Sequence, residues 1–478
     1  MNKFKNPKVC GLQSAADLRA ELAAAGNSDA KNQLKALFDE NTFVEISAFM
    51  QRGISDFLTT EVSKVFEGVI SGYGSIDGRL VFAFAEDVTR MGGVIDEKHA
   101  KKIADLYKLA LSNGAPVVGI FNSNGTDIFQ GTAGLAAYGR IISAVNSASG
   151  VVPQIAYVAG NCIGTAAAIA AMFDVVVKND KATLYVTSPA LTGVDKAQDA
   201  VVSYCADEAK CLGYIKGVVS FLPDNATNGV QVSDCTDDLN RMLGEVDFAG
   251  DALSAISVIA DNGLFYEVGS GFATNISTVF ATVGGVKCGI VATSFANDEG
   301  RLNSNGARKV AKFVNLCNSF SIPVVTLNDS MGLAIDKDNE NIFAPELAKL
   351  ACAYASATIP TVTVILGHAI GASFTLLGSK SLGADLVYCL DSSEIGALCA
   401  ESGVAFAWDK YITEEKTRDE LVGEWKASVS SPVVAAASGE IDDIIGISEL
   451  RARICSALLM LSAKGVTTGT KARKVLPL

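Results

Sequence analysis

Two short glycine-bearing segments hold the residues of this chain best placed to do chemistry. Gly160-Asn161-Cys162-Ile163-Gly164-Thr165 and Gly367-His368-Ala369-Ile370-Gly371-Ala372-Ser373 each leave an apolar run and enter a run of small residues. The run before each segment has the composition of a buried strand, and the run after it reads as a helix. Glycine permits the turn between them and lets a carbonyl oxygen come close to the main chain. The first N–H groups of the helix have no partner inside it, so they remain available to developing negative charge. For either segment alone, plain strand–helix packing explains the glycines as well. The matched pair favours chemistry, because two such turns suit a reaction with two oxyanions.

Side chains offer less. The chain has two histidines. His368 sits inside the second segment and is the better candidate for lining a site, a satisfied, partly buried histidine being the alternative. His99 lies beside Lys98, Lys101 and Lys102, where a solvated helix face is expected. None of the eleven cysteines forms a C-x-x-C pair, and with so few histidines no metal site is expected. An odd number of scattered cysteines reads as reduced and cytoplasmic. Asp442 and Asp443 are expected to pair structurally. The N-terminal stretch lacks the apolar core of a signal peptide, and the longest apolar run, 163–178, is too short and interrupted to span a bilayer. A net charge of −13 and a pI of about 4.8 argue against a nucleic-acid surface, and the basic "KARK" at 471–474 is too small to supply one.

The elements that must hold these turns are themselves repeated. Gly78 and Gly285, Pro116 and Pro323, Gly125 and Gly332, Pro153 and Pro360, Gly160 and Gly367, and Gly164 and Gly371 all stand 207 residues apart. Lys101-Lys102 falls opposite Arg308-Lys309 at the same offset. A repeat of this size is a domain rather than a solenoid unit, and 478 residues are comfortable for two. The boundary is placed in the polar, turn-rich stretch 221–246, giving domains 1–235 and 236–478. Within each, strands alternate with helices, which implies an α/β fold with βαβ crossovers. One amphipathic helix is expected over 14–38, a strand at 43–47, a hairpin across 65–87, a helix at 96–114, a buried strand at 115–122 and a helix near 131–147.

On these residues the chain resembles the carboxyltransferase subunits of biotin-dependent acyl-CoA carboxylases and decarboxylases. The likeness includes "GYGSIDGRLVFAFAEDVTRMGG" at 72–93, "ASGVVPQIAYVAGNCIG" at 148–164, "GARKVAKFVNLCNSFSIPVVTLND" at 306–329, "ATIPTVTVILGHAIGAS" at 357–373 and "GEIDDIIGISELRARICSALLML" at 439–461. It implies two duplicated crotonase-like β-β-α superhelix domains and a mechanism that uses few side chains. By this resemblance the amides of Gly164 and Thr165 hold an acyl-CoA thioester enolate. Those of Ala372 and Ser373 hold the ureido oxyanion of biotin, which arrives as carboxybiotin on a separate carrier protein. Gly125, Gly160, Gly371, His368 and Thr375 fall at substrate-binding positions. The implied partners are the biotin carboxyl carrier protein, a biotin carboxylase or a membrane decarboxylase subunit, and further copies of the chain in a dimer or hexamer.

The sequence departs from the family pattern at Thr165, where a second glycine is usual, at Asp127 in place of an arginine, and at Thr375 in place of a frequent aspartate. The acyl group and the direction therefore stay open. Decarboxylation, including the sodium-pumping kind, is the alternative within the same chemistry. A crotonase-fold hydratase or hydrolase and an inactive assembly subunit are the alternatives outside it. The chain contains no Met-Lys-Met-type biotinylation motif and no ATP-binding loop, so biotin is expected to visit rather than to be attached.

Overall fold

The computed structural model describes residues 15–24, 27–51, 66–193, 200–244, 248 and 250–464. The described residues gather into two compact units, one within 1–174, 179–197 and 207–212, the other within 175–178, 198–206 and 213–478.

In the first unit Val69–Ile76 and Arg79–Glu86 form an antiparallel hairpin. Asp77 and Gly78 close it with φ of 50° and 74°, the two left-handed residues of a tight turn that matches strand twist. Val44–Ile46 pairs antiparallel on one side of the hairpin. On the other side Val117–Phe121 and then Gln154–Val158 add in parallel. The helices Glu97–Asn113 and Thr132–Ala148 lie between these strands in sequence. The first is capped by Asp96, whose carboxylate accepts the His99 N–H, and stops at Gly114 with φ 61°. Strands buried on both faces read as the continuous apolar runs seen in the sequence.

The second unit repeats this series element for element. Ile276–Val283 and Val286–Thr293 form the hairpin, closed by Gly284 and Gly285 with φ of 60° and 79°. Phe265–Glu267 pairs antiparallel on one side, and Val324–Ser330 and Thr361–Ile370 add in parallel on the other. Individual contacts repeat as well. The Lys102 ammonium donates to Val69 O at 2.8 Å and the Lys309 ammonium to Ile276 O at 2.7 Å, both at the 207-residue offset. Burial lowers each lysine to about 8. Leu302 N donates to Gly332 O as Ile95 N does to Gly125 O. A layer of aliphatic side chains from Ala252–Ile259, both hairpin strands and Leu450–Leu461 fills the second core.

Two sequence expectations are corrected here. The region 14–38 holds two helices, Ala15–Ala24 and Asp29–Leu37, because Ser28 accepts the Lys31 N–H and starts a new helix. The stretch expected to be a connector is packed: Gln231 and Val232 pair with Lys287 and Val286, and Leu243 N donates to Ser448 O. The "KARK" segment lies outside the described residues. Among those described, no helix is long and apolar enough to cross a membrane.

Candidate active site

Each glycine turn is built in the same way. Gln154–Val158 ends, the chain bends at Gly160, and Asn161–Ile163 pairs with Thr183–Tyr185 before Gly164 opens the helix Thr165–Ala171. In the second unit Thr361–Ile370 runs through the bend, its last residues pair with Glu394–Gly396, and Gly371 opens the helix Ala372–Leu376. Gly164 has φ 63° and ψ −132°; Gly371 has φ 58° and ψ −130°. This conformation is all but closed to other residues. Space is not the constraint at Gly164, since a Cβ there would meet nothing within 4 Å.

The other glycines answer to contacts. A Cβ at Gly160 would lie 2.2 Å from Asn122 Oδ1, and one at Gly367 would lie 2.6 Å from Asp329 Oδ1. Gly125 and Gly332 have φ of 106° and 107°, each with its N–H on the hydroxyl two residues earlier, Ser123 or Ser330.

The Gly164 N–H, expected to face a ligand, donates to Tyr185 O at 3.0 Å, and the Gly371 N–H donates to Gly396 O at 2.8 Å. The donors without an intrahelical acceptor at these helix starts therefore begin with Thr165 and with Ala372. The Thr165 side chain is exposed, as is that of Thr375. Ser373 is fully buried, its hydroxyl on Ile370 O at 2.8 Å. His368 is half-buried on the same turn, with Nδ1 3.0 Å from Asp329 Oδ1.

The reading of His99 is overturned. Its side chain is completely buried, with Nδ1 3.7 Å from Glu67 Oε1 and Nε2 3.8 Å from Glu86 Oε1. Lys102 is buried with it, while Lys98 and Lys101 remain exposed. Glu86 in turn accepts the Asn122 N–H at 2.7 Å, and Asn122 Oδ1 accepts the Asn161 N–H at 3.1 Å. A buried acid thus stands two hydrogen bonds behind the first turn. Asp442 and Asp443 are structural, Asp442 accepting the Val387 N–H and pairing with Lys380, Asp443 pairing with Arg453.

Burial raises the Glu86 carboxyl to about 7, against which the neighbouring His99 acts. With a folded value above the unfolded value of 4.5, its contribution to stability is complete below pH 4.5 and is lost as pH rises through 7. Glu86→Gln keeps an acceptor for Asn122 and removes the titration. Denaturant unfolding at pH 5 and pH 8 should therefore show the parent losing up to about 3 kcal/mol more than the variant over that interval. Parallel losses in both proteins would refute this.

Sequence reasoning missed Asn122, Asp329 and Glu86. The 207-residue offset was the signal that could have found the first two, since each stands opposite the other in the repeat.

The carboxyl transferase domain model matches residues 23–197 and 196–476. The chain belongs to the carboxyl transferase family of biotin-dependent acyl-CoA carboxylases and decarboxylases. It is 34% identical to the methylmalonyl-CoA decarboxylase subunit alpha of Veillonella parvula, covering 95% of this chain and 94% of that protein. It is 33% identical to the methylmalonyl-CoA carboxyltransferase 12S subunit of Propionibacterium freudenreichii subsp. shermanii, over 93% and 91% of the two chains. Among solved structures it resembles the transcarboxylase 12S hexamer with methylmalonyl-CoA and methylmalonic acid bound, with a TM-score of 0.87 and 32% identity over 97% of this chain and 95% of that one. Like these carboxyltransferases, the chain is an α/β protein with mixed sheets.

Proposed function

We propose that this carboxyltransferase moves a carboxyl group between biotin on a separate carrier protein and the α-carbon of a short-chain acyl-CoA, propionyl- or methylmalonyl-CoA being the class suggested by its relatives. The observation that carries this reading is the pair of turns with equal backbone conformation at Gly164 and Gly371. In it, the first turn holds the thioester oxygen through the Thr165 N–H and its helical neighbour. Gly164 contributes the turn itself rather than a hydrogen bond. Two fixed donors stabilise an enolate oxygen by about 3 kcal/mol each, by analogy with other oxyanion sites. The second turn presents the adjacent N–H groups of Ala372 and Ser373, a donor set that fits the single carbonyl oxygen of a ureido ring. Biotin supplies the carboxyl group and the nitrogen that bears it. Beyond that, holding the two reactants in line is the main demand on the protein. Decarboxylation is the same arrangement run in reverse.

The two repeats are read as crotonase-like domains, the first to about residue 235 and the second from 236 to 478, in a cytoplasmic enzyme. Assembly follows from a second matched feature. Ile128 and Leu135 are 76% and 63% exposed, and their counterparts Ile335 and Ile342 are 93% and 41% exposed. Large apolar side chains paired this way just beyond each Gly125- or Gly332-type loop suit a face covered by another copy. We read it as the contact that brings the first turn of one subunit to the second turn of another, in a dimer or in a hexamer of three such dimers.

The test is direct. Purified chain, free biotin and methylmalonyl-CoA or malonyl-CoA are combined, and biotin-dependent loss of the acyl-CoA is followed by chromatography. A folded chain that shows no biotin-dependent turnover with any short-chain acyl-CoA would sink the reading.

A further inference from the structure

The repeat puts different chemistry at equivalent positions beside the two turns. In the first half both side chains are neutral amides: Asn122 Oδ1 accepts the Asn161 main-chain N–H, while the Asn161 side chain donates through Nδ2 to Asn124 Oδ1 and accepts through Oδ1 from Thr183. At the same offset the second half has Asp329 and His368. Behind the turns the pattern is reversed. The first half buries Glu86 and His99, where the second has Thr293 and Gly306, and the Thr293 hydroxyl takes over the task of holding the Asp329 N–H. Charge has moved outward in the second half.

The geometry around His368 is specific. Asp329 Oδ1 accepts the His368 main-chain N–H at 2.8 Å and lies 3.0 Å from its Nδ1, so one oxygen fixes both backbone and ring. The ring stacks on Phe295, with centroids 4.8 Å apart and planes inclined by 19°. The side chain is 32% exposed, and Nε2 has no partner among the described residues. Glu394 faces it from the neighbouring strand, and Lys426, which pairs with Glu394 at 3.4 Å, faces it from the helix Arg418–Ser428. Two carboxylates against one ammonium favour the cation, and the hydrogen bond to Asp329 is the first cause that raises the imidazole above its usual range.

We propose that His368, oriented by Asp329, is the residue that meets the negative charge that develops on the ureido oxygen of biotin at the second turn during carboxyl transfer. This rests on the transfer reading above. It explains why the first turn, which takes the acyl-CoA, has neutral amides at the same two positions. His368 is a positioning cation for biotin, and the acyl-CoA side does not depend on it.

Two measurements test this. The chain has two histidines, so imidazole NMR of the untagged protein resolves them, and His368→Asn assigns the resonance. The parent should show a His368 midpoint above the ordinary value of 6.5, and Asp329→Asn, which copies the amide of the first half, should lower it. In steady-state transfer with free biotin, His368→Asn should lower kcat/KM for biotin about tenfold at pH 7 and leave the KM for acyl-CoA unchanged, with His368→Lys recovering most of the loss. The parent's kcat/KM for biotin should fall as pH climbs through the His368 midpoint, while the Asn variant stays flat. A parent inactive with every acyl-CoA overturns the transfer reading. An active parent matched by His368→Asn at all pH values, or a His368 midpoint at or below 6.5, overturns this inference alone.

Discussion

Replacing Gly164 with proline should cost at least about 10²-fold in kcat for carboxyl transfer while leaving a folded protein. Proline fixes φ near −65°, whereas Gly164 sits at 63°. It also removes the N–H that holds the turn to Tyr185 O. On the reading proposed above, both changes move the Thr165 N–H away from the thioester oxygen, and loss of one such donor elsewhere costs about 10²–10³-fold. Gly164→Ala separates the two causes, since it keeps the N–H and disturbs only the backbone conformation, and it should fall between proline and parent. Circular dichroism and transfer rates are measured on the same preparations. A folded Gly164→Pro chain with near-parental turnover would place the chemistry elsewhere.

Two inactive variants should restore each other when mixed. Gly371 has the backbone conformation of Gly164 and its N–H is tied in the same way, so Gly371→Pro should be as damaging at the second turn. If a complete site takes the first turn from one subunit and the second from another, a mixed dimer has one site with both turns altered and one with neither. Random reassociation of equal amounts makes about half the dimers mixed, so about a quarter of parental activity should return. If a single subunit builds its own site, every site in the mixture has one altered turn and nothing returns. Subunits are exchanged by mild denaturation and dialysis, and activity is compared with each variant treated alone.

Much of the fold was legible because backbone constraints leave marks that survive duplication. Left-handed turns demand glycine at 78 and 285, buried parallel strands demand apolar runs at 115–122 and 322–328, and Asp96 and Gly114 punctuate a helix at its ends. What escaped was contact at a distance. His99 was placed on a solvated face by its lysine neighbours, yet 99, 103, 106 and 110 form one stripe of the helix, and the stripe is buried. Lys102 is buried as well because its long stem lets the ammonium reach Val69 O. Asn122 and Asp329 carry no local signal of their role, since each acts across 39 residues on the main chain of Asn161 or His368. The break between the first two helices was visible in Ser28 as a capping residue, but the apolar spacing ran across it and masked the stop.

The hydrogen bonds from Gly164 to Tyr185 and from Gly371 to Gly396 have a consequence for how substrates are received. They fasten each turn to a neighbouring strand while the protein folds, so the configurational entropy of shaping the donors is lost then and not on encounter with a ligand. A loosely formed turn would need a large substrate to organise it and would discriminate by induced fit. On the transfer reading proposed above, a turn that is already shaped receives a small acyl thioester or ureido ring without rearrangement. Selectivity among acyl groups must then come from side chains around the turns, such as the exposed Thr165, rather than from the turns themselves.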